Sequence, residues 1–145
     1  MSLYGAASFC PLLEGAQVGR LLYFYQNIVK IVYTMLKESN FVKIRISVPV
    51  IDADKVRQAC GKAGAGQQGN YVYCSGSYQS TGRFIPLEGA NPAIGKIGES
   101  EEVEEEIIEM LCHKDLVETV VLAIKKVHPY EEPAIDIFPR LEINN

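Results

Sequence analysis

The chain has 145 residues, the size of one domain. Hydrophobic residues make up 48% and charged residues 22%, an ordinary globular balance that can bury a core. With 14 Lys and Arg against 18 Asp and Glu the net charge is −4, and the basic residues are scattered, which argues against an electrostatic nucleic-acid footprint. Cys10, Cys60, Cys74 and Cys112 form no C-x-x-C pair and lack zinc-module spacing. They read as free thiols in a reducing compartment, so a cytoplasmic location is expected.

Residues 1–41 differ in character from the rest. The apolar run Leu21–Leu36 is interrupted by Gln26, Asn27 and Lys30 and falls short of the about 20 apolar residues a bilayer span needs. It also lacks the basic start and the cleavage site of a secretory signal. No membrane partner is expected. Leu21, Phe24, Tyr25, Ile28, Val32, Met35 and Leu36 recur at helical spacing, which predicts an amphipathic helix around 19–37, docked on its own domain or a neighbouring subunit. Met35 stands just before the first core strand and offers a second start, which would make the extension dispensable.

Residues 42–145 read as the folded domain. Val42–Val50 alternates, with Val42, Ile44, Ile46 and Val48 on one face and Lys43, Arg45 and Ser47 on the other, the pattern of a half-buried strand. Asp52 is placed to cap a helix carrying Ala53, Val56, Cys60 and Ala63 on one stripe. Gly64, Gly66 and Gly69 end that helix. Tyr71–Pro86 reads as strand, turn and strand, with Tyr71, Tyr73, Tyr78 and Phe84 as pleated bulk. Leu87–Ser100 has no periodicity, and a loop of that length inside a domain is usually functional or mobile. Glu101–Cys112 returns to strand, with Ile108, Met110 and Cys112 facing inward.

Asp115 and Glu118 have capping-box spacing before a second helix, whose stripe is Leu116, Val120, Ile124 and Val127, broadened by Val117, Val121 and Leu122. His128-Pro129 ends it, and Ala134–Phe138 forms the last strand. The elements predict an α+β, ferredoxin-like β-α-β-β-α-β sandwich: an antiparallel sheet with both helices on one face, since both crossovers are right-handed. The other face stays open and invites assembly.

Gly64-Ala-Gly66-Gln-Gln-Gly69 matches G-x-G-x-x-G, but a helix precedes it and a strand follows, the reverse of a dinucleotide site. It reads as a helix cap and turn. Glu99, Glu101, Glu102, Glu104, Glu105, Glu106 and Glu109 sit on or beside a strand, where alternation scatters them, and they read as a solvated face or edge. His128-Pro-Tyr130-Glu131-Glu132-Pro133 reads either as a divalent-metal site using His128, Glu131 and Glu132, or as a proline-clamped corner in which His128 satisfies backbone carbonyls. No nucleophile elbow, Walker loop or H-E-x-x-H occurs.

His128-Pro-Tyr130-Glu131-x-Pro133 resembles the matching corner of CutA proteins, small trimers related to PII signalling proteins and associated with divalent-cation tolerance. Gly64-Ala-Gly66 … Gly69-Asn70-Tyr71, Thr81-Gly82-x-Phe84-x-Pro86-x-Glu88-Gly89-x-Asn91-Pro92-x-Ile94-Gly95 and His128–Asp136 extend the likeness from about Val42 to Leu141. Together they resemble the YqfO-type domain, which occurs alone or inserted in dinuclear-metal proteins of the NIF-three family. The resemblance implies a CutA/PII-like fold and a homotrimer, and it leaves the dinuclear ligands in flanking domains.

The expected function is a non-enzymatic binding or regulatory module whose intersubunit clefts take a small molecule or a protein partner. Phe84, Glu88, Asn91 and Gly95 would shape the loop, with His128, Tyr130 and Glu131 at its base. No cofactor is required, and the alternative is a CutA-like metal binder using His128 with Glu131 or Glu132.

Overall fold

The computed structural model describes residues 15–144 and divides into two compact units, one formed by residues 15–37 with 141–144, the other by Glu38–Arg140. Cys10 lies outside the described residues. In the first unit, Gly15–Met35 forms helix α1, and Asn144 N–H donates to the Met35 carbonyl at 2.8 Å. Among the described residues no helix is long and apolar enough to cross a membrane.

The larger unit is built on strands β1 (Leu36–Pro49), β2 (Gly76–Phe84), β3 (Glu101–His113) and β4 (Ile135–Ile143), ordered β2-β3-β1-β4. β3 runs antiparallel to both neighbours, placing Ile46 opposite Ile108 and Tyr78 opposite Ile107. β4 runs antiparallel to β1: Ser47 N–H bonds the Ala134 carbonyl at one end, and Arg140 reaches the Ser39 hydroxyl at the other. Helices α2 (Ala53–Lys62) and α3 (Val117–Val127) lie side by side.

Period two in the strands and period 3.6 in the helices meet in one core. Val42, Ile44, Ile46 and Val48 of β1, Ile108, Met110 and Cys112 of β3, Val56 and Cys60 of α2, and Val120 and Ile124 of α3 pack together. Each of these aliphatic side chains contributes about 1.5–3 kcal/mol by leaving water. Both helices therefore cover a single face, the one formed by the even-numbered residues of β1 and β3. The ferredoxin-like sandwich read from the sequence is the observed fold.

The opposite face carries Phe41, Lys43, Arg45 and Ser47 of β1 and Glu105, Ile107, Glu109 and Leu111 of β3. Lys43–Glu109 and Arg45–Asp136 ion pairs cross it, at 2.8 and 3.7 Å. Ile107 is nonetheless only 3% exposed, while Tyr78 and Phe138 stand largely in the open.

Four local readings are corrected. Tyr71–Ser75 forms no strand: it holds a bridge from Tyr71 to Gln68, and Tyr73 takes φ +60°, a left-handed backbone that breaks a pleat. Cys74 accordingly lies in a loop rather than a strand. Asp52 stands before α2 but caps it with no side-chain bond, because a 3-10 turn, Val50–Asp52, already supplies backbone bonding there. Asp115 is not the cap either: a 3-10 turn, Lys114–Leu116, precedes α3, and His113 caps that turn, its Nδ1 accepting the Asp115 N–H at 3.3 Å.

The three glycines of the G-x-G-x-x-G string all take positive φ, which L side chains resist. They carry the chain out of α2, as read. Gly66 also leaves no room for a Cβ, which would meet Met110 and the Cys74 backbone within 3 Å.

Candidate binding site

A cleft of about 430 Å³ opens between the loop after β2 and the corner between α3 and β4. Its floor is the end of the uncovered sheet face, with Ser47, Gly82 and Glu105, and its walls include Phe84, Pro86, Pro92, Ile94 and Tyr130.

Strand register assembles the floor. Glu105 pairs with Pro49 on β1 and Ser80 on β2, so its side chain points away from the helices, on the same face as Ser47 and Ile107. The carboxylate accepts from two hydroxyls, Ser47 Oγ and Tyr130 Oη, the latter at 3.0 Å. Gly82 makes space for it, since a Cβ there would lie 2.5–2.6 Å from the carboxyl atoms. Burial, followed by the hydrogen bond and the negative charge of Glu105, pushes the Tyr130 hydroxyl well above the ordinary tyrosine range.

The corner is held from behind by His128, 8% exposed. Its Nδ1 accepts the Tyr130 N–H at 3.1 Å, so Nδ1 carries no proton and Nε2–H donates to the Ser47 carbonyl at 2.9 Å. Pro129 fits the extended backbone that His128 adopts at the end of α3, φ −68° and ψ 136°. The Tyr130 ring then meets Phe84 edge-on, with centroids 6.0 Å apart. The loop closes onto the corner through Asn91 N–H, which donates to Glu131 Oε1 at 2.9 Å. Within the loop, Gly98 N–H bonds the Pro86 carbonyl at 2.8 Å.

Of the residues singled out in the sequence, Phe84, Tyr130, Glu131 and Glu132 line the cleft. Asn91 contributes its backbone N–H. Gly95, at φ +87°, packs against Glu101, and Glu88 is exposed on the loop; neither lines the cleft. His128 supports the cleft without lining it. Its two ring nitrogens are both engaged by backbone, which matches the proline-clamped corner. As a metal centre the corner does not fit: His128 offers no free nitrogen, and the described residues hold no group of three or more metal-ligating His, Cys, Asp or Glu side chains.

Sequence reasoning missed Ser47, Gly82 and above all Glu105. The acidic run is not uniformly solvated. Glu102, Glu106 and Glu109 do pair with Arg83, Arg57 and Lys43, but Glu105 is only 6% exposed. Its available signal was the parity it shares with Ile107, two residues on along the same strand.

No family model matches the chain. It is 50% identical over 97 residues to the "GTP cyclohydrolase 1 type 2 homolog" of Halalkalibacterium halodurans, covering 67% of this chain and 26% of that protein. The protein of the same name in Bacillus subtilis is 44% identical over 97 residues, again 67% and 26%. The chain thus spans about a quarter of the length of these relatives. Among solved structures, a Bacillus cereus protein related to NIF3 superposes with a TM-score of 0.61 at 41% identity, over 74% of this chain and 27% of that one. The divalent cation tolerance protein CutA of Archaeoglobus fulgidus superposes with a TM-score of 0.52 at 18% identity, over 69% and 83%, a likeness of fold alone.

Proposed function

Because this chain carries the YqfO-type domain of the NIF-three family in a CutA-like fold, we propose that it is a self-associating binding or regulatory module rather than a catalyst. In this reading the cleft beside Glu105 and Tyr130 receives a small molecule or a segment of a protein partner. The observation that carries it is the build of the cleft: walls mostly apolar and aromatic, with a few polar groups converging at one end, the usual make-up of a small-ligand site.

The same geometry supplies little chemistry. Ser47 is the one hydroxyl of the lining besides Tyr130, and it faces a carboxylate already shared with a second hydroxyl. The imidazole that would activate it as a nucleophile is instead bound to backbone on both nitrogens. The cyclohydrolase name belongs to longer relatives, of which this chain matches only 26%.

Self-association is supported by the sheet face opposite α2 and α3, where Tyr78 and Phe138 remain exposed. Sedimentation velocity at micromolar concentration tests the assembly, with a trimer expected and a monodisperse monomer counting against it. Incubation with GTP tests the rest: no turnover is expected, and hydrolysis abolished by Glu105→Gln would make the cleft an active site.

A further inference from the structure

Glu105 places a negative charge at the end of the cleft that no cation among the described residues is paired with. Glu105 as a residue is only 6% exposed, yet the partners of its carboxylate are two neutral hydroxyls. Hydroxyl donors stabilise an ionised carboxylate without cancelling its charge, and buried charges are ordinarily matched by an opposite one. Nearby cations are already committed. Arg83, at the cleft, pairs with Glu102 at 2.9 Å, Arg45 with Asp136 at 3.7 Å, and Arg57 with Glu106 and Asp54. Glu131 and Glu132 add two carboxylates at the rim.

The walls fit the same occupant. Phe84 and Tyr130, edge to face at the cleft, offer ring faces, and a cation near an aromatic face gains about 0.5–2 kcal/mol depending on how far it is desolvated. Pro86, Pro92 and Ile94 present apolar surface suited to a hydrocarbon stem rather than to a hydrated ion. An inorganic cation would need several ligands at once, and the described residues hold no group of three or more His, Cys, Asp or Glu side chains that could supply them.

We propose that the cleft takes an organic cation, an ammonium or guanidinium head on a short apolar stem, with the head against Glu105 and the stem between Phe84 and Ile94. This rests on the cleft being the binding site of the module. The head can belong to a free amine or to a Lys or Arg side chain of a second copy of this chain, and the two share the same chemistry.

The test is a ¹H–¹⁵N NMR titration of the full chain in EDTA with n-butylammonium, n-butylguanidinium, neutral 1-pentanol and anionic butyrate. Amides of Phe84, Ile94 and Tyr130 should shift saturably, with either cation bound at least tenfold more tightly than pentanol, and Glu105→Gln should remove that preference. Cations bound no better than pentanol or butyrate would overturn the ligand class while leaving the cleft a binding site. If no probe moves these amides, the binding-site reading itself fails. Dilution of the unliganded protein beforehand identifies the source of the head. Cleft amides that move on dilution, and move back on adding butylammonium, assign it to a second copy, and the titration is then run at the dilute end. Amides that stay put on dilution assign it to a free amine. Either result keeps the cation.

Discussion

The Tyr130 hydroxyl donates to Glu105 Oε1 across 3.0 Å, joining the corner after α3 to the middle of β3. Removing it leaves Glu105 with Ser47 as its remaining donor. Tyr130→Phe should cost about 1 kcal/mol of stability, the usual net worth of one such bond, as read by urea denaturation.

The same hydroxyl ionises later in the fold than in the open chain, whose ordinary value is 10.0. A raised acid of this kind contributes stability that is intact below the unfolded value and is lost as pH climbs through the folded one. Unfolding free energy should therefore fall more steeply above pH 10 in the wild type than in Tyr130→Phe. Parallel curves from pH 9 to 11.5, by denaturation at each pH, would count against the bond.

Gly82 and Gly76 both belong to β2, yet only Gly82 faces the Glu105 carboxylate. Gly82→Ala forces that side chain aside and should cost about 1–3 kcal/mol, as overpacking does. A Cβ at Gly76 meets nothing within 4 Å, so Gly76→Ala should change stability little. The pair separates crowding of the cleft floor from a general strand effect.

His128 is spent on the Ser47 carbonyl and the Tyr130 N–H. His128→Ala should cost about 1–3 kcal/mol by leaving buried backbone groups unpaired. By the same geometry, isothermal titration with zinc or copper should give the same affinity for the variant as for the wild type. A clear loss of affinity in a variant that is still folded would revive the metal site.

Burial pushes the Cys60 thiol up to about 11, with Cys112 nearby adding to the effect, and burial raises Cys112 as well. The thiolate is the reactive form. Among the described cysteines of the native protein at pH 8, a disulfide reagent should label Cys74 first, and Cys60 and Cys112 only on unfolding, as peptide mapping would show.

Much of this architecture was legible because alternation and helical spacing are local properties. Val42, Ile44, Ile46 and Val48 declared one buried face, and Val120 and Ile124 the stripe laid on it. The cleft was not legible in the same way. Ser47, Glu105 and Tyr130 come from three separated segments, and only the pairing of β1 with β3 brings the first two side by side. Glu105 sat among like residues, and only the strand parity it shares with Ile107 sets it apart from Glu104 and Glu106. Tyr71 and Tyr73 misled because aromatic content suggests a pleat, whereas the φ of Tyr73 turns the chain out of one.

β1 and β4 lie next to each other and run in opposite directions, so the larger unit departs from and returns to almost the same point, Ser39 beside Arg140. Neighbouring strands are only about 5 Å apart. A polypeptide can thus acquire this unit in one of its loops as it would a side branch, with the stem of the branch no wider than a hairpin and the recipient's own packing undisturbed. That geometry is suited to a module that relatives carry as about a quarter of a longer chain.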